Sequence, residues 1–320
     1  MKSLGSGRKI DRGTIDPIGR HAMRWDDRVY GESTIDDPGA LALIHGPTFA
    51  RLGRIRQAGP SAIAFPFKTV TRREHSLGVY LLLGRLGARH RERIAGLLHD
   101  LSHTAFSHAV DFVVASEEQD HHERLKPEFL HRPDVVGPLS AMGYAPEEFY
   151  DDAIYPLLER PLPWLCADRV DYFLRDSLAT GVSTPMSVRR TLDALVIAEG
   201  TIALNDIEVA RDLAARFAEM NRDWWASPTE AYVYNEFADA LREGFRCGAL
   251  CEQDLLGDDE AVLSKLRDSG NPAIATKLDC VANFRVDRVV NYRPRVAPKD
   301  RRIDPPVVVA GELRRLSELK

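Results

Sequence analysis

Residues 72–111 read RREHSLGVYLLLGRLGARHRERIAGLLHDLSHTAFSHAVD, and the placing of four of the five histidines in this stretch decides how the chain is read. His75 opens one apolar run, the pair His99-Asp100 closes the next, and His103 and His108 follow. Leu77, Tyr80, Leu81 and Leu83 predict a helix over about 73–86. Ile94, Leu97 and Leu98 predict a second, running from about Arg89 to His99-Asp100. Consecutive helical residues point ~100° apart, so His99 and Asp100 can grip one ion from two sides. A packed helical core has no need of such groups, because buried charges require partners.

Much further along, Ala167-Asp168-Arg169-Val170-Asp171-Tyr172 falls in a third predicted helix, from Trp164 to Asp176. On it Asp168, Asp171, Tyr172, Arg175 and Asp176 form one polar stripe, and Asp171 with Arg175 has the spacing of an ordinary i, i+4 salt bridge. Imidazole nitrogens and carboxylate oxygens suit zinc, iron, manganese or nickel and leave coordination positions open. Such an ion lowers the pKa of bound water and polarises a phosphoryl oxygen. His75, His99, Asp100 and Asp168 are therefore the candidate metal ligands.

The remaining chain is read as mainly α. The pattern from Arg28 to Ile35 suits a short hairpin, and Asp36-Asp37-Pro38-Gly39 a helix entry. Apolar positions from Leu41 to Ile55 predict one or two amphipathic helices broken near Gly46-Pro47, and a helical run is expected through Tyr150 to Leu158. After Gly181, β-formers flanking Gly200 predict a hairpin over Leu195–Leu204. Helices are expected over Ile207–Trp225 and about Glu230–Leu250. Phe284–Val290 and Pro305–Val309 read as strands.

Composition is ordinary for a globular protein, and a net charge of −5 excludes a surface built throughout for nucleic acid. Locally, Arg293–Arg302 holds five basic residues and one acid, which fits a solvated loop or a nucleotide- or nucleic-acid-binding patch. Cys166, Cys247, Cys251 and Cys280 form no CxxC pair and read as reduced thiols. Trp224 and Trp225, ending a predicted helix, read as core or interface. The N-terminus lacks the apolar segment of a signal peptide, and no window approaches the ~18 apolar residues of a membrane span. A soluble, cytoplasmic protein with no membrane contact is expected.

Taken together, Arg51-Leu52-Gly53-Arg54-Ile55-Arg56-Gln57, Thr71–Gly78, His99–His108 with Asp111, and Asp168–Asp176 resemble the HD-domain metal-dependent phosphohydrolases. Within them the likeness is to the branch that removes triphosphate from deoxynucleoside triphosphates. The resemblance implies an HD-domain helical core with small β-hairpins and a C-terminal α+β elaboration. Its expected divisions are a lead-in over 1–26, the core over 27–185 and a C-terminal helical region with short strands over 186–320.

The same resemblance makes His75, His99, Asp100 and Asp168 ligands of a divalent ion (Mn, Fe, Ni, Zn, Co or Mg). His103 and His108 become site histidines for phosphates or protons, and His122 the partner of Asp111 in an acid/base dyad. Arg72 and Arg169 would neutralise phosphates, Tyr172 and Asp176 contact the sugar, and Gln57 lie nearer the sugar or base. A nucleotide substrate and a homo-oligomer are implied. A phosphodiesterase or nuclease, or a non-catalytic nucleotide-binding regulator, would use the same core.

Overall fold

The computed structural model describes residues 16–17, 22–114, 121–297 and 299–319. Most of the expected lead-in lies outside them, but Asp16–Pro17 and Met23–Asp27 are already strands, so ordered structure begins ahead of residue 27. These strands, β1 and β2, pair antiparallel with each other, and β2 pairs antiparallel with β3 (Gly31–Ile35) on its other side. The chain then becomes mainly helical, as its patterning predicts.

Asp37 caps the first helix, Pro38–His45, by accepting from the N–H groups of Gly39 and Ala40. Thr71 caps Arg72–Arg85 through the Glu74 N–H, which places His75 at the start of a fixed helix. The helix His90–Leu98 packs against it and ends at His99. The helix Ala167–Thr180 packs on Arg72–Arg85 and stops at Gly181, whose φ of 79° is the left-handed conformation that ends a helix without a Cβ penalty.

Val170, Phe173 and Leu174 are buried on this last helix, but so are Asp171 and Arg175, so it is enclosed on its polar side as well. Each fully buried Leu or Phe contributes ~1.5–3 kcal/mol. The polar residues there must be stabilised by one another.

The hairpin β4 (Leu195–Ala198) and β5 (Thr201–Leu204) forms as expected, turning at Glu199 and Gly200, both with positive φ. It joins β6 (Pro306–Val309) in parallel at Leu204 and Val307, and β7 (Glu312–Arg315) completes the sheet. Long helices Ile207–Met220 and Pro228–Arg246 follow the hairpin, linked by a π-helical turn at Asn221–Trp225.

Two expectations fail. Phe284–Val290 is no strand; Val286–Val290 is a short helix whose Val286 and Val290 face outward. Its apolar residues also fit a three- and four-residue period, and a run this short is ambiguous between the two. Tyr150–Leu158 holds only a 3-10 turn, Asp152–Ile154.

One hydrophobic cluster runs from Met23 through Phe173 and Phe217 to Val307, so the core is shared across residue 185. A second joins Ala105, Phe106 and Val110 to Phe237, Val262 and Val281. Among the described residues no helix is long and apolar enough to cross a membrane.

Candidate active site

Three helix ends bring the predicted ligands together. His75 Nε2 lies 3.2 Å from His99 Nε2 and 2.9 Å from Asp168 Oδ1. Asp100 closes the group, with Oδ1 3.5 Å from His99 Nε2 and Oδ2 3.7 Å from His75 Nε2. All four are residues that the sequence points to.

The ring orientations test whether a cation fits. His75 Nδ1 donates to Asp171 Oδ2 at 2.7 Å, and His99 Nδ1 donates to the Gly96 carbonyl at 2.8 Å, which assigns both tautomers. Both Nε2 atoms are then acceptors facing each other, an arrangement that repels unless a proton or a cation stands between. Two carboxylates flank the same point. The donor set fits a divalent ion bound through two imidazoles and two carboxylates.

Electrostatics agree. Burial opposes the Asp100 carboxylate, but the charges of Arg72, His99 and His103 hold its carboxyl well below the usual range. Burial likewise opposes the His75 cation, yet Asp168 and Asp171 raise its pKa to about 10. A proton and a metal therefore compete for this nitrogen. Asp168 is lowered by His75 and His99 against burial, while burial and the Asp168 charge push neighbouring Glu159 up to about 7.

Asp171 is the residue whose part the sequence understates. Completely buried, its carboxylate takes hydrogen bonds from His75, from Arg175 Nε at 2.7 Å and from Tyr30 OH at 2.7 Å. Arg175 continues to Asp27 Oδ2 at 2.8 Å and Glu74 Oε1 at 3.1 Å. Its i+3 spacing from Asp168 is the available signal, but that spacing equally describes a surface pair. Nothing local marks Asp27 or Tyr30.

Beside the quartet stands a second group of rings. His103 stacks on His122 with centroids 4.0 Å apart, and His108 meets both edge-on. His103 Nε2 lies 3.1 Å from Asp100 Oδ1. Burial and the charges of Arg72 and His122 push His103 and His108 well below the ordinary histidine pKa, so both are neutral near pH 7.

The expected His122–Asp111 dyad is not formed. Asp111 Oδ2 accepts from His108 Nδ1 at 2.9 Å, and His122 Nε2 lies 3.3 Å from Glu123 instead. Asp111 and His108 are three residues apart at a helix start, the shorter reach.

His108 arrives over a corner of unusual backbone. Phe106 and Ser107 have φ of 60° and 55°, the left-handed region that non-glycine residues avoid at ~1–2 kcal/mol each. The corner is held from the C-terminal region: Phe106 N–H donates to Asp259 at 2.6 Å, and its ring packs 4.3 Å from Phe237. Ser107 Oγ donates to the Arg56 carbonyl and accepts from Arg72 Nε.

The two groups open into one cavity of about 620 Å³. Arg72 lines it while paired with Asp100 at 2.8 Å, and Arg169 lines it with its guanidinium on the Trp164 carbonyl and Glu159. Tyr172 and Asp176 form another wall, joined by Trp225, whose Nε1 donates to Asp176 at 2.9 Å. Gln57 lines it with Oε1 buried and unpartnered among the described residues. Trp224 and Trp225 thus border the cavity as well as the core. The basic run does not act as one face: Arg295 pairs with Asp239, whereas Lys299 and Arg301 reach the cavity.

Known proteins resemble this chain to different degrees. A family model described as HD domain matches residues 72–146. The uncharacterized protein YdhJ of Bacillus subtilis is 38% identical over 261 residues, covering 81% of this chain and 80% of its own. The metal-dependent phosphohydrolase cns2 of Cordyceps militaris is 30% identical over 297 residues, 89% of this chain and 85% of that protein. More distantly, the deoxynucleoside triphosphate triphosphohydrolase SAMHD1 homolog of Dictyostelium discoideum is 27% identical over 58% of this chain and 41% of its own. A crystal structure of a hypothetical protein from Aquifex aeolicus shares the fold, with a TM-score of 0.67 at 19% identity, covering 93% of this chain and 92% of that one.

Proposed function

The chain belongs to the HD-domain metal-dependent phosphohydrolases, and on that premise we propose that it hydrolyses deoxynucleoside triphosphates to deoxynucleoside and inorganic triphosphate. The observation that carries this reading is the meeting, in one cavity, of two histidines and two carboxylates fit to hold a cation, several cationic side chains and aromatic walls. Its volume falls within the roughly 300–1,000 Å³ of small-molecule sites. The distant likeness to a deoxynucleoside triphosphate triphosphohydrolase supports the same choice of substrate.

His75, His99, Asp100 and Asp168 hold the divalent ion, which when bound acidifies water and neutralises phosphoryl oxygens. Asp171 and the Gly96 carbonyl keep the two Nε2 atoms turned towards it. His108, neutral and with Nδ1 fixed by Asp111, offers Nε2 to take a proton from the attacking water. It then returns that proton to the 5′ oxygen as the bond to the α-phosphorus breaks. His103 and His122 flank the reacting phosphate. Arg72 and Arg169 offset phosphate charge. Tyr172 and Asp176 hold the sugar, Gln57 lies at the sugar or base, and the assembly is a homo-oligomer.

The test loads the protein separately with Mn, Fe, Ni, Zn, Co or Mg, supplies each deoxynucleoside triphosphate singly and mixed, and resolves the products by anion exchange. Deoxynucleoside and triphosphate from wild type, lost in Asp100→Ala and after chelation, are expected. No turnover with any metal, alongside Asp100-dependent cleavage of nucleic acid or a cyclic nucleotide, would overturn the choice of substrate.

A further inference from the structure

Of the cationic side chains lining the cavity, Arg72, Arg169 and Lys68 are tied to Asp100, Glu159 and Glu230. Two others, Arg160 and Arg301, form no ion pair among the described residues: Arg160 stacks on the Trp164 ring at 4.5 Å, whereas the side-chain hydrogen bond of Arg301, 3.3 Å to the Lys299 carbonyl, stays within its own loop. Yet Arg301 borders the cavity. His108, Tyr172 and Tyr234 line the same cavity as Arg301.

The backbone carrying Arg301 is fastened at several points. Asn221, buried in the π-helical turn beside Trp224 and Trp225, accepts from the Arg301 N–H at 2.9 Å and donates to Asp300 Oδ1 at 2.5 Å. Earlier in the loop, buried Asn235 accepts from the N–H groups of Arg295 and Val296 and donates to the Val296 carbonyl at 3.0 Å. Beyond it, Asp304 N–H donates to the Pro163 carbonyl at 2.9 Å. Two asparagines removed from water to hold an otherwise irregular segment are costly unless its position matters. What they position is a guanidinium without a carboxylate, on the wall of a cavity that already gathers positive charge.

We propose that Arg301 is an anion-binding residue of this cavity, supplied by the C-terminal region and held by Asn221, that takes a phosphate group of a polyphosphate substrate. The choice of a triphosphate rests on the function proposed above; the anion site itself does not. A planar guanidinium can engage phosphate oxygens through two parallel hydrogen bonds. Asn221 is a positioning residue.

Isothermal titration calorimetry of metal-loaded protein with inorganic tripolyphosphate tests this. Arg301→Ala is expected to weaken binding about tenfold, as loss of one charge-assisted contact does, with Arg301→Gln similar and Arg301→Lys between it and wild type. Arg302→Ala, in the same loop but with its side chain 86% exposed, should bind within about twofold of wild type. Thermal melts of each variant verify folding, and the two Arg301 replacements guard against one failing to fold. The proposal is overturned if Arg301→Ala and Arg301→Gln bind like wild type, if Arg302→Ala loses as much, or if wild type does not bind. Protein that turns over no deoxynucleoside triphosphate, yet loses tripolyphosphate binding with Arg301, would remove the proposed substrate and keep the anion site.

Discussion

Replacing Asp171 by alanine separates the orienting network from the proposed metal ligands that it holds. Asp171 does not line the active-site cavity, but its carboxylate receives three hydrogen bonds in a place closed to water. Without it, His75 Nδ1, Arg175 Nε and Tyr30 OH are buried donors with no acceptor. Breaking a buried ion pair by removing one partner costs ~3–5 kcal/mol. Arg175 keeps Asp27 and Glu74, which sets the expected loss at the lower end of that range or slightly above, about 3–4 kcal/mol.

With an unfolding entropy of about 2.1 cal/mol/K per residue, 320 residues give roughly 0.7 kcal/mol/K, so Tm should fall by ~5 °C in metal-stripped protein. Metal affinity, read by titration against a chelating indicator, should drop ~10–100-fold, because the His75 ring is free to turn. Asp171→Asn should lose less of both: its carbonyl still accepts from His75, and Tyr30 can rotate to accept from the amide. An Asp171→Ala protein that melts within about a degree of wild type and holds metal equally well would refute the orienting role.

A Cβ at Gly78 would fall inside contact distance of Arg175 Nη2 and Asp171 Oδ1, neither of which has room to move. Gly78→Ala should cost ~1–3 kcal/mol in urea unfolding despite alanine's better helix propensity; an unchanged midpoint would contradict the packing. Asp259 gives a pH dependence. Burial pushes its carboxyl up to about 6 although the N–H groups of Arg56 and Phe106 favour the ion. The protonated form is favoured in the fold, so its contribution is complete below pH ~4 and is lost as pH rises through 6. A tenfold change in proton affinity corresponds to ~1.4 kcal/mol, which makes the whole effect ~3 kcal/mol at most, and Asp259→Asn should flatten that part of the stability–pH curve. Identical curves for the two proteins would disprove the assignment.

The convergence of His75, His99, Asp100 and Asp168 was legible because each sits at a helix end with local signals: a cap, an apolar run and a polar residue out of pattern. Asp168, far away in sequence, was legible only through its helical stripe and the family resemblance. The role of Asp171 was not, because a helix buried on every side looks in sequence like one with a solvated polar face. Arg301 was hidden for a different reason. Whether a basic loop is solvated or turned onto a cavity depends on Asn221 and Asn235, whose interest as backbone anchors no sequence window reveals. The His122–Asp111 pairing failed because Asp111 had a nearer histidine, and Val286–Val290 because a short β-branched run fits both periods.

The left-handed corner at Phe106 and Ser107 bears on how this protein could be divided or rebuilt. Two non-glycine residues there depend on Asp259 and Phe237 for their conformation. A fragment ending near residue 185 would retain all four proposed metal ligands and still lack the fastening that aims His108. The smallest transplantable unit is therefore longer than the stretch that carries the motif, and a designer grafting this chemistry must move the clamp with the blade.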